Sequence, residues 1–310
     1  VAQGGLKALG GGLRMQWMFR ASLNCFLISL AFCASVLAGS TPETIRAPAP
    51  GNSHKFGSIE RPTEIPEFAP ADLKLTVGEK LIYEIRVSGV PAGKTCLEVR
   101  KTESIGNGKE AWVVGLETRS NRAASFMYDV RDQARAQIDV KGGFSRSFSI
   151  NIKEGDMQTR EEIEFKYDIG DMMATYMRPR SDGEWRTHKI PLTGKVLDPL
   201  SAIYYLRALD LKTAKNGELL YLPICTDRRV WNTRLKITER RIAEDVGELK
   251  GREVVCIVPD AEFKGLFERK GPMKIWVDVA TGIPLRMTCE IPIGPAEVIL
   301  SEFSNSPLNK

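Results

Sequence analysis

The chain has 310 residues, 43% of them apolar and 27% charged, a globular composition that excludes disorder throughout. Basic residues outnumber acidic ones by 44 to 39, but Lys7, Arg14 and Arg20 stand among residues 1–38 without an acid, which leaves 41 bases against 39 acids downstream. So nearly neutral a remainder excludes the concentrated basic charge of a nucleic-acid binder.

Residues 1–38 read as a signal peptide region, with Met15 the expected true start. Arg20 supplies a positive flank, Ala21–Ala38 is free of charge, and Val36-Leu37-Ala38 before Gly39 fits a small-residue cleavage site. Cleavage is expected over retention as an N-terminal anchor, and Cys33 after bulky Phe32 makes no lipobox. The expected location is the periplasm or the cell exterior. Residues 39–71 follow with Pro42, Pro48, Pro50, Pro62, Pro66 and Pro70 and no apolar periodicity, the composition of an extended linker. His54 falls inside it.

From residue 72 to 310 a single β-rich domain is expected, because the dominant period is two. Leu81, Tyr83, Ile85 and Val87 alternate with Ile82, Glu84, Arg86 and Ser88. Thr95, Leu97 and Val99 repeat the pattern after the Val90–Gly93 turn, and Gly106-Asn107-Gly108 marks a hairpin. Further strands are predicted over 111–118, 128–140, 144–153, 159–167, 172–178 and 185–192. The pattern breaks once, where Asp198-Pro199 reads as an N-cap followed by proline at the first helical position. The helix expected over about 199–210 is apolar almost all round, so it belongs inside the fold. Strands resume at 219–225, 230–239, 253–258, 274–279, 285–291 and 297–303. The economical architecture is all-β and mainly antiparallel, a strongly curved sheet or half-open β-barrel of roughly a dozen strands around one central buried helix. A β-sandwich with a connecting helix is the alternative.

Three stretches carry a family likeness. They are Val77-Gly78-Glu79-Lys80-Leu81-Ile82-Tyr83-Glu84-Ile85 with Gly89–Gly93, then Leu197-Asp198-Pro199-Leu200-Ser201-Ala202-Ile203-Tyr204-Tyr205-Leu206-Arg207, and finally Ile275-Trp276-Val277-Asp278 with Gly282-Ile283-Pro284-Leu285-Arg286 and Ile293-Gly294. In this order, over residues 75–303, they resemble the bacterial envelope family known as domain of unknown function 3108. The resemblance implies a secreted envelope protein whose activity is not established. A fold-level likeness to the half-barrels of periplasmic lipoprotein carriers rests on the architecture and on the Trp276–Pro284 hairpin.

Catalytic signatures are scarce. With His54 in the linker, His188 is the one histidine left for a triad, and neither a Gly-x-Ser-x-Gly elbow nor a His-Glu-x-x-His pair occurs. Gly89–Thr95 has three residues between its glycines and a strand behind them, where a phosphate loop needs four and a helix. Cys96, Cys225, Cys256 and Cys289 contain no Cys-x-x-Cys pair, so no metal site is expected; an oxidising compartment allows disulfides among them in three full pairings, the alternative being buried thiols. Asp129 and Asp132 point to opposite faces of a strand, which separates them as an acid–base pair. Arg207 is the one permanent charge in the apolar helix, and it must reach solvent, a carboxylate such as Asp198 or Asp132, or an anionic ligand.

The function expected from these readings is non-catalytic and needs no cofactor. An apolar or amphipathic envelope component, a lipid or a lipoprotein acyl chain, would bind in the concavity near a membrane, against Tyr204, Tyr205, Leu206 and Arg207. The alternative is a structural or adaptor protein that pairs with an envelope protein partner through a sheet edge.

Overall fold

The computed structural model describes residues 68, 71 and 73–309, except 169, 181, 245–248, 261–272, 292 and 293. The signal region and most of the linker, His54 included, lie outside the described residues. Alternation of apolar and polar residues yields fourteen strands: β1 (Lys80–Val87), β2 (Val90–Ser104), β3 (Glu110–Ser120), β4 (Arg131–Asp139), β5 (Ser145–Glu154), β6 (Met157–Asp168), β7 (Asp171–Pro179), β8 (Trp185–Pro191), β9 (Leu219–Thr226), β10 (Arg229–Ile242), β11 (Glu253–Asp260), β12 (Lys274–Asp278), β13 (Pro284–Ile291) and β14 (Gly294–Ser304). Two short helices join them, α1 (Arg122–Met127) and α2 (Pro199–Tyr205), the latter running into a 3-10 turn at Leu206–Ala208.

All fourteen strands form one antiparallel sheet in the order β8-β7-β6-β5-β4-β3-β2-β1-β14-β13-β12-β11-β10-β9. The first and last strands therefore pair at its centre, and its two edges, β8 and β9, are consecutive in sequence. A continuous sheet replaces the sandwich alternative. The connection from β8 to β9 must pass between the two edges, and it carries α2 across the concave face, where the helix packs on both β4 and β9. Contact with two strands so far apart in the sheet requires strong curvature. Backbone bonds hold the curve from the connection itself. The Ser145 N–H donates to the Val196 carbonyl (3.0 Å), the Leu197 N–H to that of Pro223 (2.9 Å), and the Cys225 N–H to that of Leu197 (2.8 Å). The two residues Val196 and Leu197 thus tie β5 to the edge strand β9.

The concave face is the core. Leu81, Leu97, Leu116, Ala134 and Ile150 form one row across β1 to β5, each opposite the next and all buried. Burying such a row stabilises by roughly 1.5–3 kcal/mol for each large side chain. The folded unit also starts earlier than expected. Phe68, placed in the linker by its proline-rich surroundings, is buried with its ring 4.9 Å from that of Tyr205, and the Ala71 N–H donates to the Gly142 carbonyl (3.2 Å).

Asp198 starts α2 as its flanking sequence predicts, accepting the Leu200 and Ser201 N–H groups on Oδ1 (2.9 and 3.0 Å) and the Ser145 hydroxyl on Oδ2 (2.5 Å). The other end stops against the β12–β13 hairpin. There Gly282 has φ +68°, and a Cβ on it would stand 2.8 Å from the Leu206 carbonyl oxygen and overlap the Arg207 Cα. Gly282→Ala adds left-handed strain to that collision, about 2 kcal/mol together, and calorimetry should show the thermal midpoint lowered by about 5 °C or more.

Candidate functional site

Tyr204, Tyr205 and Leu206 are all buried in the core that α2 fills. The recess left between α2 and strands β9–β13 is lined by apolar residues, Leu206, Ile224 and Met287 among them, and its volume is about 30 Å³. That is room for about one water, whereas ligand sites usually run to several hundred cubic ångströms. Among the described residues, this recess under α2 has no room for an acyl chain in this conformation.

Arg207 turns away from both expected acids. Its Nη1 donates to Glu79 Oε2 (3.0 Å) and its Nη2 to Oε1 (2.5 Å), a two-pronged pair with side-chain exposures of only 7% and 1%. Asp198 cannot serve it, being occupied by the helix cap, and Asp132 pairs elsewhere. Beside the pair, the Tyr83 hydroxyl donates to the Pro284 carbonyl (3.0 Å). The three stretches that carry the family likeness therefore converge on one place, where Glu79, Arg207 and the Gly282–Pro284 turn clamp the end of α2.

No disulfide joins Cys96, Cys225, Cys256 and Cys289. Burial pushes the Cys225 thiol up to about 12, helped by the Asp198 charge, and raises Cys96 and Cys256 as well. Such thiols are poor nucleophiles. His188 lies exposed on β8. Among the described residues no group of His, Cys, Asp and Glu could hold a metal ion.

A carboxylate pair does exist, though not the one weighed from the sequence. Asp129 faces Arg131 (3.0 Å) and Asp139 faces Arg146 (2.6 Å), while Asp132 hydrogen-bonds to Glu154 on the inner face. Burial raises both of their pKa values, and the Asp132 charge raises Glu154 further. The Lys153 N–H to Asp132 (2.9 Å) and the Tyr128 hydroxyl to Glu154 (3.2 Å) oppose that rise in part. Both acids are sealed in the core, so the pair meets no substrate.

A larger recess lies on the opposite, outer face of the sheet. There the coiling of β2 to β8 makes a groove of about 830 Å³. Glu117, Gln133, Asn151 and Arg160 line it in register, one from each of β3 to β6, and Trp185 of β8 closes the row. A bulge between Val99 and Lys101 aims Arg100 across the sheet. Its guanidinium lies over Gly115, where a Cβ would overlap it, and within 3.6 Å of Glu117. Arg135 pairs with Glu103 (3.1 Å), and Arg160 pairs with Glu162 while lying 5.5 Å from the Trp185 ring centre. Every arginine of the groove thus has a glutamate beside it. The surface is dense in planar polar groups yet balanced in charge. Sequence reading missed it because alternation says only that these side chains face outward, not which of them share a row.

The family model described as "Protein of unknown function (DUF3108)" matches residues 82–301. No curated protein matches the chain. Among solved structures, the chain is similar to a β-barrel-like protein of the domain of unknown function DUF1849 from Brucella abortus, with a TM-score of 0.48 and 13% identity over 77% of this chain and 98% of that one. It is also similar to a candidate lipoprotein from Parabacteroides distasonis, with a TM-score of 0.31 and 7% identity over 76% of this chain and 99% of that one.

Proposed function

The chain belongs to the DUF3108 family of proteins of unknown function, and from that premise and the geometry we propose that it is an exported, non-catalytic binding protein of the bacterial envelope that holds a saccharide in its outer groove. The observation that carries this reading is the contrast in space, about 830 Å³ on the polar outer face against about 30 Å³ under α2. Charge balance argues against a polyanion. The amides of Gln133 and Asn151 and the guanidinium of Arg160 suit hydroxyl and acetamido groups, which both donate and accept. They stand one per strand at the ~4.8 Å inter-strand spacing, a step that suits successive sugar units, and the Trp185 ring offers a face for a sugar's C–H groups. Export rests on the leader read in residues 1–38, and the described residues contain no helix long and apolar enough to cross a membrane. The amphipathic component expected from the sequence is thus proposed to be met by its polar part and from outside the barrel. A lipid or lipoprotein acyl chain in the concavity would require α2 to leave.

The adaptor reading keeps one observation in its favour. β8 pairs with β7 alone in the sheet, so one of its sides is an edge. Arg186 and Lys189 are exposed on that strand, and charges of this kind are how edges are usually protected from pairing.

Calorimetric titration with oligomers of N-acetylglucosamine, glucose and galacturonic acid tests the groove. Binding of a neutral oligomer in preference to the uronate is expected, weakened about tenfold by Trp185→Ala and by Gly115→Val, which displaces Arg100. No binding by any of the three, or binding indifferent to both substitutions, would contradict the reading.

A further inference from the structure

Helix α1 shows apolar side chains to water. Phe126 is 95% exposed and Met127 60%, and Val90, at the start of β2, is 65% exposed. No residue of α1 is buried. The helix is nonetheless firmly braced. Asn121 accepts the Ala124 N–H on its side chain (2.8 Å), donates from its amide to the Pro91 carbonyl (2.7 Å), and donates its own N–H to the Ala92 carbonyl (2.8 Å), which ties α1 to the β1–β2 turn. The Ser120 hydroxyl bonds that of Ser125 (2.7 Å) and accepts the Val130 N–H (3.0 Å). A fully exposed phenylalanine held on a braced tip is a surface prepared for contact.

The charge around it selects the contact. Residues 119–131 contain Arg119, Arg122 and Arg131 against Asp129 alone, and the ion pairs there, Arg131–Asp129 (3.0 Å) and Arg119–Glu117 (3.6 Å), are exposed, so they cost little to exchange for lipid phosphate. All three arginines are exposed. A recess beside the tip, bounded by Ala92, Arg119 and Ser120, holds about 10 Å³, too little for the anchoring side chain that a protein partner would insert. Projecting apolar groups ringed by arginine fit the boundary between headgroups and acyl chains, where the one meets hydrocarbon and the other phosphate.

We propose that α1 and the β1–β2 turn dock this protein on an anionic lipid surface, with Phe126, Met127 and Val90 entering the interface and Arg119, Arg122 and Arg131 meeting lipid phosphates. The inference is independent of what the outer groove binds.

Sedimentation with vesicles tests it, using protein purified from the periplasm of an expression host. The protein should bind vesicles of phosphatidylglycerol and phosphatidylcholine in equal parts at least about tenfold more tightly than vesicles of phosphatidylcholine alone. The double variant Phe126→Ser/Met127→Ser should lose at least about tenfold in affinity for the anionic vesicles. Its circular dichroism and thermal midpoint should stay those of the parent, because the replaced side chains are exposed. Arg119→Gln/Arg122→Gln should lose the preference for anionic lipid. Failure of the parent to bind anionic vesicles would overturn the proposal, as would full binding by the Phe126/Met127 variant. Capture of the tip by a protein partner with no lipid binding would do so too.

Discussion

Arg207→Ala should destabilise the protein by about 3–5 kcal/mol, among the largest effects of any single substitution in the chain. The guanidinium is the counter-charge of Glu79, whose carboxylate is buried against the end of α2. Removing it leaves a negative charge inside the core, and the cost of that charge dominates over the loss of packing. Glu79→Gln/Arg207→Met should recover most of the loss, since neutralising both partners removes the isolated charge. Urea unfolding of Glu79→Gln, Arg207→Met and the double variant closes the cycle. An arginine kept for a ligand headgroup would behave otherwise, with Arg207→Ala nearly neutral for stability and damaging only to binding.

Wild-type stability should fall as pH rises from the ordinary carboxylate range toward neutral, and Glu154→Gln should flatten that fall. The reason is the proton held between Asp132 and Glu154. Their folded pKa values lie above the ordinary 3.8 and 4.5 because burial disfavours charge, and Glu154 is raised further by its neighbour. The sign follows directly. Between the unfolded and folded values the folded protein holds a proton that the unfolded chain has lost. Stability is therefore complete below the unfolded values and declines as pH climbs through the folded ones, by up to about 1.4 kcal/mol per pH unit for each such proton. Burial raises Asp198 and Glu161 in the same sense, so the variant reduces the slope without abolishing it. Because glutamine mimics the protonated acid, Glu154→Gln should be more stable than wild type at about pH 8 and close to it at about pH 5. Urea midpoints at those two values decide the matter, and wild-type stability that rises over the interval would refute the shared proton.

Much of this fold is written in local signals. Alternation locates the strands, and Asp198-Pro199 marks the start of α2 because the cap chemistry is contained within four residues. What lies between distant segments is harder to see. Glu79 and Arg207 are 128 positions apart, and nothing near either names the other. Helix α1 escapes a search for periodicity because six residues without a buried side chain have no apolar face to repeat. Glu154 lies just past the strand predicted over 144–153, and its meeting with Asp132 emerges only once β4 and β5 are paired. The groove depends on register, which bulges at Val99/Lys101 and Gln137/Ile138 shift by a residue each, so its row of polar groups emerges only from the assembled sheet.

The concave side is a core clamped by Glu79 and Arg207, and the outer groove is the proposed binding face. Hydrogen exchange measured with and without the hexamer of N-acetylglucosamine separates the two faces in one experiment. The prediction is slower exchange in β3 to β6 and β8, with residues 199–208 unchanged. Altered exchange at 199–208 with β3 to β6 unaffected would place the ligand beneath the helix and contradict it.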